Sequence, residues 1–449
     1  MKGIVIVLII ILIIVIIIAS LGGSYYYFYF RPKKSLFKGE STGGIIINPI
    51  PTPSPTPGPT PQGPQFLITN YGASTSSTNN SAAIIKAFQA ANSKNGTVVV
   101  PKGTFMIGAT LIKGIKNTAL NVIGKLQNVA SIAAYNSSIA SIQTVDPTFS
   151  SSAKNQAVIK FLQCDNILVY GEGNIDGNNE AWQTAAGFVV GGGGNTSENN
   201  GPSLINITNC NVFEIRQVLI SNSPKYNFRL FDSTKLKFHD FKIVNQQFTV
   251  NTDGINIEQG INGMEVYNMD VSSGDDGFAI NAFSTNTTNI LVRDSIFRTG
   301  HGVSIGSGTY QTISNVVFRN LQILNSKYGT RMKAKTPPSS YPSGNSKVSN
   351  ILYENITVKN TDQDAILWDG AFSGDGNPNL KISDITFKNY NSDTSGKSTS
   401  FQLLPNTLLK PIILNNVIIA NAKRSGEPNT NVKFDVQGPV KGVNGVADS

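Results

Sequence analysis

From Asn211 onward one short pattern recurs: an apolar residue, alternating apolar and polar positions, an Asn or Asp, then a second apolar pair. It starts near Val212, Leu236, Met264, Ile290, Val316, Ile351, Leu380 and Ile412, at intervals of 24, 28, 26, 26, 35, 29 and 32 residues. Ile290-Leu291-Val292-Arg293-Asp294-Ser295-Ile296-Phe297 is one copy and Ile351-Leu352-Tyr353-Glu354-Asn355-Ile356-Thr357-Val358 another. A period of that length, built from strands of four to six residues with Asn- and Gly-rich corners, predicts an all-β solenoid. The architecture is a parallel β-helix in which each coil stacks on the last. The antiparallel hairpins of a sandwich also alternate in short strands, but they do not repeat one pattern in one register. Composition agrees, because a helical protein would be rich in Glu, Lys, Ala and Leu, whereas here charged residues are 14% and glycines number 42. A length of 449 residues does not force a second core, since solenoids grow by adding coils.

Stacking makes neighbours of residues a full repeat apart, about 4.8 Å along the axis. Four clusters then fall on one face: Asn251-Thr252-Asp253-Gly254, Gly274-Asp275-Asp276-Gly277, Gly300-His301-Gly302 running on to Ser304-Ile305-Gly306-Ser307, and Arg331-Met332-Lys333. Asp253, Asp275, His301 and Arg331 are separated in turn by 22, 26 and 30 residues. Adjacent strand residues point to opposite faces, so Asp275 and Asp276 share a cleft only if Gly274 and Gly277 bend the chain. Three neighbouring carboxylates repel one another, which raises at least one proton affinity and supplies an acid beside ionised bases. Glycoside hydrolysis requires that combination: one carboxyl protonates the leaving oxygen while another carboxylate activates water or attacks the sugar. Arg331 and Lys333, at i and i+2 of one strand, suit a carboxylate-bearing substrate. Taken singly, Asp-Asp-Gly reads as a solvated turn, Gly-His-Gly as a tight corner, and the Arg and Lys as surface charge. Their recurrence one coil apart is what favours a site. His239 has no such company and reads as structural.

In this order the four clusters resemble the four signatures of the polygalacturonases, glycoside hydrolase family 28. The likeness extends over most of residues 66–420 and includes Asn70-Tyr71-Gly72-Ala73 and Ser221-Asn222-Ser223-Pro224. The resemblance implies a right-handed β-helix and an inverting hydrolase of α-1,4-linked galacturonan that needs no metal or organic cofactor. It gives Asp275 the role of general acid, Asp253 and Asp276 that of the pair activating water, and His301 that of supporting the acid's protonation. Arg331 and Lys333, with Asn251, become the candidate substrate-binding residues. Three positions depart from the family pattern: Gly277 stands in place of Cys, Met332 in place of Ile, and the later substrate-binding Tyr has no clear counterpart, Trp368 or Phe372 being the nearest aromatic. A pectate lyase shares the fold but needs a calcium-binding carboxylate group and a basic proton abstractor. A hydrolase of another pectic backbone, rhamnogalacturonan or xylogalacturonan, competes with the polygalacturonase reading, as does a non-catalytic glycan-binding adhesin.

The rest of the chain frames this body. Ile4 to Ala19 is an unbroken apolar run, and no charge appears from Gly3 to Phe30. Residues 1–30 therefore read as a membrane-spanning anchor, with a cleaved secretory signal as the rival. Residues 31–64 are basic and then proline-rich, a semi-rigid stalk, and residues 65–449 form the β-helical domain. The expected location is outside the cell, tethered through residues 4–30, or secreted if that segment is cleaved. Arg31, Lys33, Lys34 and Lys38 argue the opposite orientation by the positive-inside rule. Of the net charge of +9, residues 1–64 carry +4, from five basic and one acidic side chain, leaving +5 on the body. The body has no Lys/Arg run and no nucleic-acid motif, so the expected partner is an acidic polysaccharide bound by a monomer rather than nucleic acid. Asn80 or Ser81 is placed to cap a helix with Ile84, Ile85, Phe88 and Ala91 on one face, a lid over the open end of the core. Cys164 and Cys210 lack metal-binding spacing and are either a disulfide or two buried thiols.

Overall fold

A computed structural model of the protein describes residues 63–144, 146, 156–185, 201–245, 250–341, 345–393, 399–420 and 431–449. The anchor or signal segment at 1–30, and the stalk apart from residues 63 and 64, lie outside the described residues. Among those residues no helix is long and apolar enough to cross a membrane.

The recurring pattern folds as coils. Each begins with a strand such as Asn262–Tyr267, turns a corner into Asp270–Ser272, bends again, and enters a strand of a second sheet such as Phe278–Ala282. Among the described residues strands pair with the coils before and after, in parallel, giving one sheet of twenty strands and one of ten. Phe213, Leu236, Met264, Ile290, Val316, Ile351 and Ile385 share one register down the larger sheet. All of them are buried.

Two of the sequence-assigned starting points are therefore shifted. Phe213, not Val212, is the core counterpart of Leu236, and Ile385, not Leu380, is that of Ile351. Val212 instead occupies the corner just before, with φ of 54°, in a column with Asn166, Lys235, Gly263, Asn289, Asn315 and Asn350, all left-handed. Left-handed backbone is comfortable for Gly and Asn and costly for a β-branched residue. In later coils the first two strands merge into single strands of 12 or 13 residues, longer than the four to six expected, such as Thr287–Arg298 and Thr312–Leu324. Within each of them the corner is one left-handed Asp or Asn. Asp294, Asn320, Asn355, Asn389 and Asn416 form this column, each side-chain amide donating to the residue one coil earlier at 2.8–3.0 Å. Inside, Phe318, Tyr353 and Phe387 stack nearly parallel at 5.0 and 4.7 Å between ring centres.

The N-terminal helix spans Ser81–Ala91 and buries Ala83, Ile84, Ala87, Phe88 and Ala91; Ile85 is only half-buried. Asn80 holds the N-cap position without capping. Its amide donates to the Met106 carbonyl at 3.0 Å, and its oxygen accepts from the Ser74 amide at 2.8 Å. Ser81 Oγ likewise faces away and accepts from Gly108 N. The helix packs over the first coils, Phe88 meeting Phe161 edge to face at 6.1 Å. Cys164 and Cys210 are free, buried thiols. They stack one coil apart, the Cys164 amide donating to Cys210 Sγ at 3.4 Å.

Candidate active site

The four clusters meet where the chain leaves the larger sheet and enters the smaller one. The pairing of Ile255 with Phe278 sets Asp253 beside Asp276, and Gly254 N donates to Asp276 O at 2.9 Å. The next pairing, Phe278 with Val303, brings in His301. Its flanking glycines are left-handed at φ 57° and 71°. A Cβ on Gly300 would lie 2.0 Å from the Asp275 carbonyl oxygen, and one on Gly302 2.0 Å from that of Gly329, so only glycine lets the turns stack this closely. Gly277 is equally committed: a Cβ there would meet Phe297 Cδ1 at 2.7 Å, and the ring leaves no room for the family's cysteine.

Asp275 and His301 form the open end of the site, their side chains 21% and 24% exposed, with Asp275 Oδ1 2.7 Å from His301 Nδ1. The Asn251 backbone amide donates to Asp275 Oδ2 at 3.1 Å and the Asp276 amide to Oδ1 at 2.9 Å. Asn251 thus reaches the site through its backbone. Asp276 is buried and saturated. Arg331 Nη2 donates to Oδ1, Ser304 Oγ donates to the same oxygen at 2.8 Å, and Lys333 Nζ lies 2.9 Å from Oδ2. Arg331 Nε also donates to Ser304 Oγ at 3.2 Å. Both cations assigned to a substrate carboxylate are therefore engaged by a carboxylate of the chain itself. A divalent ion among Asp275, Asp276 and His301, whose ligand atoms lie within 4.8 Å of one another, would have to compete with that guanidinium and ammonium.

These contacts divide the protons. Burial pushes the Asp253 carboxyl well above its usual range, and the Asp275 and Asp276 charges add to the effect against a weaker pull from Lys333. Burial also acts on Asp276, but Arg331 and Lys333 outweigh it and hold that carboxylate far below the usual range. At Asp275 burial is overcome by the His301 hydrogen bond, assisted by the Asn251 amide, and the net direction is down. Of the three carboxyls Asp253 is therefore the one whose surroundings favour the protonated form, while those of Asp275 and Asp276 favour the ionised one. Asp275 Oδ1 and His301 Nδ1, 2.7 Å apart, are the two acid–base groups at the open end of the site.

Sequence reasoning did not single out Ser304, Tyr226, Arg229 or Glu258. Ser304 was legible in principle, because it lies in the third cluster and is in register with Arg331. Burial, with Asp253, Glu258 and Asp275 nearby, pushes the Tyr226 phenol well up. Arg229 pairs with buried Glu258 at 2.5 Å and lies 5.4 Å from the Tyr226 ring centre. No motif carries these residues, which arrive by coil register alone. Of the two nearest aromatics, Trp368 is fully buried while Phe372 is 39% exposed, with Lys333 Nζ 5.2 Å from its ring centre. His239 lies in the larger sheet, between Asp240 at 2.7 Å and Glu214 at 3.2 Å and stacked on Tyr267.

A sequence profile for Glycosyl hydrolases family 28 matches residues 91–437. An exopolygalacturonase of Cochliobolus carbonum is 27% identical over 348 residues, which is 71% of this chain and 72% of that one. An endo-polygalacturonase of Pectobacterium parmentieri is 29% identical over 251 residues, 54% of this chain and 60% of the other. Among solved structures, a polygalacturonase from Erwinia carotovora ssp. carotovora superposes with a TM-score of 0.66 at 23% identity, covering 86% of this chain and 99% of that one. That last likeness is one of fold.

Proposed function

The chain belongs to glycosyl hydrolases family 28 and is a glycoside hydrolase, and we propose that it cleaves α-1,4-galacturonosyl linkages of pectin with inversion of configuration. Asp275, with His301, is the proton donor to the leaving oxygen, because this pair is the part of the carboxylate cluster open to the cleft. Asp253 and Asp276 lie deeper and are the pair that takes the proton of the attacking water, Asp253 being the carboxylate whose surroundings favour proton uptake. Arg331 and Lys333 act first on Asp276 and, beyond it, supply positive potential that draws a galacturonate carboxylate to the cleft. Phe372 beside Lys333 supplies an apolar face for the sugar ring. The observation that carries the reading is the contrast between an open Asp275–His301 hydrogen bond and a buried Asp276 held by two cations.

Proton NMR of early polygalacturonate digestion tests it. The β-anomer should appear first at the new reducing ends. The α-anomer first would refute inversion, and unsaturated, ultraviolet-absorbing products would replace hydrolysis by elimination. Because that substrate is a polymer, we also propose that the domain acts outside the cell, tethered through residues 4–30 or released after cleavage. Protease accessibility on intact cells tests this placement, and a body protected from protease would refute it.

A further inference from the structure

The column of side chains at this turn does not stop at His301. Val303 pairs with Thr330 and Thr330 with Ile366, so the position held by Asp253, Asp276 and His301 in successive coils is held next by Tyr328. The two turns are in contact: a Cβ on Gly302 would come 2.6 Å from the Tyr328 carbonyl oxygen. The half-buried Tyr328 ring meets the His301 imidazole edge to face, 5.7 Å between centres at 70°. The Arg331 guanidinium lies over the same ring, 4.6 Å from its centre. One aromatic ring therefore touches both the partner of Asp275 and the clamp on Asp276. A planar ring serves such a purpose well, since its face attracts a guanidinium and its few rotatable bonds keep both contacts fixed.

We infer that Tyr328 is a positioning residue for the hydrolysis proposed above, its ring fixing His301 and Arg331, and with them the open and buried carboxylates they hold, relative to each other. The hydroxyl also reaches Arg331, but the contacts that join Arg331 to His301 are made by the ring. Tyr328→Phe should keep wild-type kinetics. Tyr328→Leu and Tyr328→Gln, checked for an unchanged thermal midpoint, should lose about tenfold in kcat with KM on polygalacturonate within about twofold.

A second readout is independent of activity. The chain has two histidines, so NMR of histidine-labelled protein, with His239→Gln for assignment, isolates the His301 ring resonances. They should move in the Leu and Gln variants and stay in place in the Phe variant. Unmoved His301 resonances, or a kcat loss shared by the Phe variant, would overturn the inference. An inactive wild type would instead count against the proposed reaction, while the spectra would still decide the role of the ring.

Discussion

Replacing Lys333 by Met removes one charge from the clamp on Asp276 while keeping the length of the side chain. Lys333 Nζ lies 2.9 Å from Asp276 Oδ2, and the two side chains are 9% and 5% exposed. At an effective dielectric constant of about 20, the attraction at that distance is about 6 kcal/mol. The ammonium no longer has to be desolvated, and Arg331 still holds the other oxygen. Measured costs of breaking a buried pair are about 3–5 kcal/mol, and we expect the lower end, about 3 kcal/mol.

The loss must depend on pH. Asp276 is depressed in the folded state, so its contribution is fully present above the unfolded value of about 3.9 and is lost as pH falls through the folded value. Lys333→Met narrows that depression. The gap between variant and wild type is then full at about pH 7 and shrinks as pH drops below about 4. Urea denaturation followed by tryptophan fluorescence reads it, since Trp368 sits in the adjacent coil, in register with Met332. A gap under about 1 kcal/mol at neutral pH, or one equally large near pH 2.5, would refute the electrostatic account.

Val212→Asn relieves a β-branched residue of its left-handed corner and should raise stability by about 1 kcal/mol; an unchanged urea midpoint would contradict this. Asp253 has a raised folded pKa, so folding loses stability as pH rises from the unfolded value toward the folded one. Asp253→Asn should therefore be more stable near neutrality by roughly 0.5–2 kcal/mol, equal to wild type in acid, and slower by about 10²–10⁴-fold. A variant less stable than wild type at pH 7 would show that burial and the neighbouring charges do not disfavour the ionised Asp253. Trp368→Ala should cost about 3–5 kcal/mol through a core cavity, whereas Phe372→Ala should leave the denaturation midpoint unchanged and raise KM for polygalacturonate. The opposite pattern would exchange the roles of the two aromatics.

The coils were legible because a stacked coil writes its period directly into the sequence. At Val212 an apolar residue occupies the left-handed corner, and at Leu380 the core position lies five residues later, just past the left-handed Asp384, so apolar character alone does not mark the register. The four clusters were legible because stacking turns sequence spacing into adjacency. Charge assignment was not. Arg331 and Lys333 looked like groups awaiting a substrate because the direction in which a long side chain turns is set by what lies one coil away, here a buried carboxylate. Asn80 failed as a cap for a related reason: its amide was already claimed by Ser74 and Met106. Tyr328 and Tyr226 belong to no motif and become visible only once the register is known.

The central claim is that Asp275 delivers a proton during hydrolysis of a galacturonan. Its most direct test compares reducing-end release from polygalacturonate by the wild-type protein and by Asp275→Asn, with ultraviolet absorbance followed in parallel. The wild type should release reducing ends without new absorbance, and the variant should lose nearly all of that release. Full activity in Asp275→Asn, or no release by a well-folded wild type, would contradict it.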